Sequence, residues 1–341
     1  MKKIKGYQIL GQLDKIKRHY VTLIRHLTPK KICNIAMAQW NMLMRKSVIS
    51  NMPFMIKIEP TNICNVKCQG CWTLNTESWT GKHDYLHPKG MMAFETFKII
   101  VDQLYENITS ISLYGNGEPL LNKDIYKMIK YAGEKNVGCV ISTNMMKFSE
   151  DDAEQLIDSK LEHLIVAVDT LRPELYAKHR VGGNLEKVLE HLNLLIEKKR
   201  QRNSKYPMIE MQSIIREENL DETDLLNEYA KKIGVDRYTA KIDSEFIKED
   251  IKKKPQKETP CHWLWCSAYF GWDGIVCPCG CAYVGPDTIY GNILEKPFKE
   301  IWNSDKYIRS RKLYTPHSPD TSGLDECRLC PLFPNRHSIK R

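Results

Sequence analysis

Cys64-Asn65-Val66-Lys67-Cys68-Gln69-Gly70-Cys71 places three thiols within eight residues, directly after the strand-like run Met55-Ile56-Lys57-Ile58-Glu59-Pro60. No helix or strand needs that density of cysteine. Three ligands leave a four-coordinate metal unit one short, and a vacant position marks a reactive site, because structural zinc sites are closed by four ligands. Thiolate-only ligation points to iron–sulfur or zinc rather than to a hard cation. The chain must therefore fold so that a short loop after its first strand is held open around an inorganic centre.

The other cysteines agree. Of twelve in the chain, seven lie after position 260, and only Cys33 and Cys139 are isolated, as expected of buried apolar fillers. Met-Lys-Lys begins the chain without a subsequent apolar run, and no stretch approaches the ~18 residues of a membrane span. The expectation is a cytoplasmic protein, in which cysteines serve metals or chemistry rather than disulfides. The net charge of +9 is concentrated early: residues 1–57 hold twelve Lys or Arg and one acid, Asp14. Such a stretch is either a solvated helix face or a face for an anionic partner, and no nucleic-acid motif accompanies it.

Residues 1–52 read as two helices that cap the body of the fold. Ile9, Leu13, Ile16, Tyr20, Leu23 and Leu27 form one stripe, Thr28-Pro29 breaks it, and a second helix is expected from about Lys30 to Ser50. From Pro53 short β-rich runs alternate with helical periods. The strands are expected at Met55–Glu59, Ser110–Tyr114, Gly138–Ser142, His163–Val168, Met208–Ile215 and Asp236–Lys241. The helices between them are Ala93–Glu106, Asp124–Lys135, Glu150–Ser159, Leu185–Arg202 and Glu222–Ile233. This rhythm predicts an α/β fold, a parallel sheet with helices outside. Six strands are too few for a closed eight-fold barrel, so the expectation is a partial, TIM-like (β/α)6 barrel over residues 53–247. Its active face is the C-terminal edge of the strands.

Polar motifs fall on that edge. Gly115-Asn116-Gly117-Glu118-Pro119 follows the second strand, Ser142-Thr143-Asn144 ends the third, and Asp169-Thr170 ends the fourth. Each alone could be a turn or a helix cap, but four such loops on one rim are hard to explain by packing. Charged residues 248–260 read as a linker. Beyond it, residues 261–341 have little helical period before Pro297–Lys312 and need a metal staple. Here stand Cys261, Cys266, Cys277, Cys279, Cys281 and the pair Cys327-Arg-Leu-Cys330. Trp272-Asp-Gly274 predicts a hairpin that carries Cys279 back beside Cys261. A four-cysteine zinc knot is an alternative that spacing leaves open.

The Cys-x3-Cys-x2-Cys loop resembles that of the radical S-adenosylmethionine (SAM) enzymes. The C-terminal text (Cys261, Gly274, Cys279, Gly291-Asn292-Ile293, Ile301-Trp302-Asn303) resembles their auxiliary-cluster module, known as SPASM in full form and twitch in short form. The resemblance covers about residues 53–335. It implies a [4Fe–4S] cluster on Cys64, Cys68 and Cys71, whose open iron binds SAM and cleaves it reductively to a 5′-deoxyadenosyl radical that takes a substrate hydrogen. The full module continues with further cysteines, and none follows Cys330. One auxiliary [4Fe–4S] cluster is thus implied, on Cys261, Cys279, Cys327 and Cys330, with Cys266, Cys277 and Cys281 unassigned.

The same resemblance implies that Gly117 and Glu118 receive the methionine ammonium, and that Ser142 and Asn144 contact ribose or carboxylate. Arg180 is the implied catalytic candidate, reaching the SAM carboxylate or the substrate, and Asp169 is a strand-end partner. Gly70 stands where the family often has an aromatic or apolar residue, so Trp72 is expected against the cluster. The implied activity is an oxidoreductase that performs a two-electron oxidation of a small molecule, fed by flavodoxin or ferredoxin. One alternative is a maturase acting on a ribosomally made peptide. Another, of a different class, is a non-catalytic iron–sulfur or zinc scaffold.

Overall fold

The computed structural model describes residues 24–71, 87–243, 260–280 and 288–315, together with Leu324, Cys327 and Cys330. The stripe residues Ile9, Leu13, Ile16, Tyr20 and Leu23, together with Trp72, the greater part of the linker and Cys281, lie outside the described residues.

Apolar alternation and strand length place the elements where the sequence predicts them. The strands are β1 (Met55–Ile58), β2 (Lys67–Cys68), β3 (Ser110–Leu113), β4 (Gly138–Thr143), β5 (His163–Ala167), β6 (Arg180–Val181), β7 (Met208–Ile215) and β8 (Arg237–Ile242). Between them run α2 (Phe94–Leu104), α3 (Ile125–Glu134), α4 (Glu150–Asp158), α5 (Pro173–His179), α6 (Leu185–Gln201) and α7 (Thr223–Ile233), after an N-terminal α1 (Pro29–Leu43). Local chemistry fixes several starts. Ser149 and Asp152 form a reciprocal capping box on α4, and Asn184 caps α6 through Lys187 N. Gly234 ends α7 in the left-handed conformation.

Strands β1, β3, β4, β5, β7 and β8 pair in parallel in that order. Ile56, Ile58, Ile111, Leu113, Ile141, Leu164 and Val166 share one buried core with the helices. By the period of two, Lys57, Ser112, Ser142 and Gln212 line the opposite, inner face. This is the partial α/β barrel.

Cys33, expected as a buried filler, is exposed on α1, and the second helix ends earlier than expected. The second helix stops at Leu43, seven residues short of Ser50. Arg45 turns left-handed (φ 50°), and tertiary bonds take over the next stretch of backbone. Arg45 donates to Tyr314 O, Trp265 Nε1 to Lys46 O, and Ile49 exchanges two hydrogen bonds with the Asn303 side chain. These partners are remote in sequence, so local periodicity carries no trace of them.

The C-terminal segment adds its strands to the barrel's sheet. After α8 (His262–Cys266), β9 (Ser267–Phe270) pairs parallel to β1, Lys57 opposite Tyr269. The predicted hairpin then brings β10 (Ile275–Cys277) antiparallel onto β9, followed by β11 (Gly291–Asn292), α9 (Phe298–Trp302) and α10 (Asp305–Lys312). One nine-stranded sheet thus runs through both parts of the chain.

Candidate active site

The cysteine loop is held by its neighbours' backbones. Ile63 O accepts Glu118 N at 2.9 Å, and Thr61 Oγ1 donates to Gly90 O at 2.8 Å. Within the loop, β2 pairs antiparallel with β6 so that Cys68 is opposite Arg180. Gln69 N donates to His179 O, and Cys71 N turns back to Cys68 O. That turn requires φ of 74° at residue 70. An aromatic side chain there would be strained, which explains why this chain has Gly70.

Burial raises the Cys64 and Cys68 thiols above their ordinary value, against hydrogen bonds and charges that favour the thiolate. Asn144 Nδ2 lies 3.7 Å from Cys64 Sγ, and Arg180 Nη1 lies 3.8 Å from Cys68 Sγ. The three-thiol loop, with Asn144 and Arg180 beside two of its sulfurs, offers the thiolate donor set that an iron–sulfur cluster takes.

The rim residues form two buried clamps. Glu118 accepts from Thr143 Oγ1 (2.7 Å), Asn144 N (2.7 Å) and Leu120 N (3.1 Å). A carboxylate offers about four lone-pair directions, so about one is left for an ammonium group. In this chain Glu118 already binds the β3 loop to the end of β4. Asn144 is fixed in turn by Met146 N on its Oδ1 and by Asn65 Oδ1 on its Nδ2. Ser142 sits on the inner face two residues before it.

The second clamp is Asp169, which accepts Arg180 Nε at 2.8 Å and Ile214 N at 2.9 Å. Burial opposes the Arg180 cation, but Asp169, Tyr176 and Cys68 together outweigh it, so the guanidinium stays charged beside Cys68. The structure thus brings Cys64, Cys68, Gly117, Glu118, Asn144, Asp169 and Arg180 to one rim, with Cys71 at the loop's end.

Sequence reasoning missed Glu59. Its carboxylate is 1% exposed; Oε2 accepts Tyr269 Oη at 2.6 Å and Asn116 N at 3.0 Å. Oε1 is buried with no hydrogen-bond partner. Burial raises the Glu59 carboxyl, against Tyr269, Asn116, His87 and Lys57. The signal was present: Lys57 and Glu59 alternate with Ile56 and Ile58, putting two charges on the inner face of a central strand.

In the C-terminal segment, Cys261, Cys327 and Cys330 lie close enough for a charge on one to raise the next and the Tyr314 hydroxyl. Burial pushes Cys327 up to about 12. Tyr290 Oη lies 3.7 Å from its sulfur, and Cys279 and Cys327 both act on Tyr307. Cys266, pushed up to about 12 by burial, and Cys277 are core thiols; Gln39 Nε2 lies 3.8 Å from Cys266 Sγ.

The radical SAM superfamily model matches residues 58–223, and the SPASM iron–sulfur cluster-binding domain matches residues 261–331. GTP 3′,8-cyclase of Sulfurimonas denitrificans is 30% identical over 203 residues, 58% of this chain and 58% of that protein. AdoMet-dependent heme synthase of Methanosarcina barkeri is 22% identical over 341 residues, 83% of this chain and 89% of that protein. The chain spans about half the length of the cyclases it matches. SuiB of Streptococcus suis, solved bound to the precursor peptide SuiA, shares the fold with a TM-score of 0.61 and 15% identity, covering 81% of this chain and 70% of that one. The two domains imply S-adenosylmethionine and [4Fe–4S] clusters as the cofactors. The chain belongs to the radical S-adenosylmethionine superfamily and carries a SPASM iron–sulfur domain after its partial barrel.

Proposed function

We propose that the protein is a radical SAM oxidoreductase that removes two electrons from a small molecule held on the inner face of the barrel. One observation carries this reading: β1, which leads into the first cysteine loop, is hydrogen-bonded directly to β9, whose hairpin leads to Cys279. Gly280 lies against Lys57, where a Cβ would stand 2.7 Å from Lys57 Cδ. Both cysteine groups therefore border the same polar patch of Lys57, Glu59 and Tyr269.

When bound, the cluster and SAM supply a one-electron reductant and a hydrogen-abstracting group. In this reading Cys64, Cys68 and Cys71 hold the first cluster, with Asn144 and Arg180 donating to the sulfurs and Asp169 fixing the guanidinium. Gly117, Glu118, Ser142 and Asn144 border the SAM. Cys261, Cys279, Cys327 and Cys330 would hold an auxiliary centre, which would supply an electron acceptor, and flavodoxin or ferredoxin would be the external reductant.

Anaerobically reconstituted protein with dithionite is expected to convert SAM to 5′-deoxyadenosine and to hold about eight irons. The triple variant Cys64→Ala/Cys68→Ala/Cys71→Ala is expected to lose the activity and keep about half the iron. Absence of 5′-deoxyadenosine from fully loaded protein refutes the enzyme reading, and zinc in the variant refutes the auxiliary cluster.

A further inference from the structure

Helix α1 is turned inside out. It buries Lys31, Asn34, Ala38 and Asn41. Each polar member has a partner: Lys31 Nζ donates to Asn136 O, Asn34 exchanges bonds with Met52, and Asn41 donates to Asn51 Oδ1. The outward face is Ile32, Cys33, Ala36, Met37, Trp40, Leu43 and Met44, all exposed. Trp40 is 55% exposed and Leu43 71%, and Ile24 and Val48 extend the patch at its two ends. A helix on the surface of a globular protein shows the reverse pattern. Seven of the twelve exposed large apolar side chains among the described residues lie between positions 24 and 48. So dense a patch marks an interaction site.

Charge selects the occupant. No Asp or Glu occurs between Asp14 and Glu59, while nine Lys or Arg do. Lys46, exposed, flanks the apolar face of α1, as does Lys30, which is ion-paired with Glu106. A second copy docked face to face would bring these cations together, which costs several kcal/mol where like charges meet. Apolar Trp, Leu and Met on one helix face, with cations beside them, are the pattern of a helix lying in a lipid headgroup layer. Among the described residues no helix is long and apolar enough to cross a membrane.

We propose that the outward face of α1 seats the protein peripherally on an anionic lipid surface. The helix lies beneath the N-terminal edge of the strands: Lys31 and Asn34 bond to Asn136 O and Asn107 O, just ahead of β4 and β3. A protein seated this way turns the opposite rim, with the cysteine loop, Glu118 and Arg180, away from the lipid.

The test is co-sedimentation of the full chain with phosphatidylcholine vesicles, with and without phosphatidylglycerol. Wild type is expected to bind the mixed vesicles, to bind pure phosphatidylcholine less, and to be released by salt. Trp40→Ser/Leu43→Ser is expected to weaken binding about tenfold or more by removing the buried apolar area. Lys46→Glu is expected to weaken it about fivefold or more, on the mixed vesicles only. Both variants change exposed side chains and are expected to keep the wild-type circular dichroism spectrum. Wild-type protein that stays in the supernatant overturns the proposal, as does binding that survives Trp40→Ser/Leu43→Ser. A dimer that this double variant converts to monomer, without vesicle binding, assigns the face to a second copy instead and equally overturns it.

Discussion

Glu59 joins β1 to β9 through one buried carboxylate. Burial raises its pKa above the ordinary 4.5, so between 4.5 and the raised value the folded protein holds a proton that the unfolded chain has released. Its contribution to stability is then present in acid and lost as pH rises through that window, at up to about 1.4 kcal/mol per pH unit. The groups around it are Tyr269, His87 and Lys57, with Asp273 paired to His87 at 3.0 Å. Glu59→Gln is expected to flatten this part of the stability–pH curve, and denaturant titrations giving the wild-type slope would refute the assignment. Burial raises the Glu118 carboxyl as well, but its oxygens are taken up by hydrogen bonds. Two backbone N–H groups and a hydroxyl donate to it, and an amide in its place would aim an N–H at one of them. Glu118→Gln is expected to cost about 1–3 kcal/mol, read from the denaturant midpoint at constant m; an unchanged midpoint would show that the clamp is dispensable. At this scale the sequence exposed residue type and rim position, which is why Glu118, Asn144, Asp169 and Arg180 were legible. It could not show that Glu118 and Asp169 spend their oxygens on this chain's own donors, because Thr143, Asn144 and Ile214 lie 25 to 45 residues away in sequence.

The loops after β1 and β3 are packed backbone to backbone. A Cβ on Gly117 would lie 2.3 Å from Thr61 O and 2.6 Å from Ile63 O, so neither loop can keep its place beside an alanine. Gly117→Ala is expected to destabilise by about 3 kcal/mol or more, since backbone is what must shift. It should also lower the iron retained after reconstitution, because the displaced segment leads into Cys64. A variant with wild-type melting and iron content would show that the loops slide apart freely. The core elements were legible because strong local periodicity and tertiary packing agree in them: β7 has the expected bounds, and the other five core strands shift by about a residue at their ends. The end of α1 was not legible, because Arg45, Lys46 and Ile49 are claimed by Tyr314, Trp265 and Asn303, more than 200 residues later.

Across the whole molecule, the barrel and the C-terminal segment are knitted together by more than a sheet edge. Phe54 N donates to Cys266 O and Glu59 N to Phe270 O, bracketing the β1–β9 pairing. Phe298 N bonds to Gln103 Oε1 on α2, and Trp302 Nε1 bonds to Asn51 O. Arg311, fully buried and lowered to about 10 by that burial, sends its guanidinium to Leu264 O, Ser47 O, Trp302 O and Asn303 Oδ1, with its Cζ 4.7 Å from the Trp302 ring centre. The described residues on either side of the expected linker, residues 248–260, share one sheet. A chain cut after Asp243 would leave β1 as a bare edge beside exposed Phe54 and Ile58, a surface prone to pair with other chains. The truncated protein is therefore expected to aggregate or to melt without a cooperative transition, even though it retains all six core strands and the first cysteine loop. Size-exclusion chromatography and calorimetry decide the matter. A monodisperse monomer with a sharp transition would mean that the barrel folds alone and that the nine-stranded sheet is two units in contact. Arg311→Met provides the intact-length control. It abandons four buried oxygens at once and is expected to cost about 3 kcal/mol or more, lowering the melting of barrel and C-terminal segment together as one transition if the sheet makes them one cooperative body.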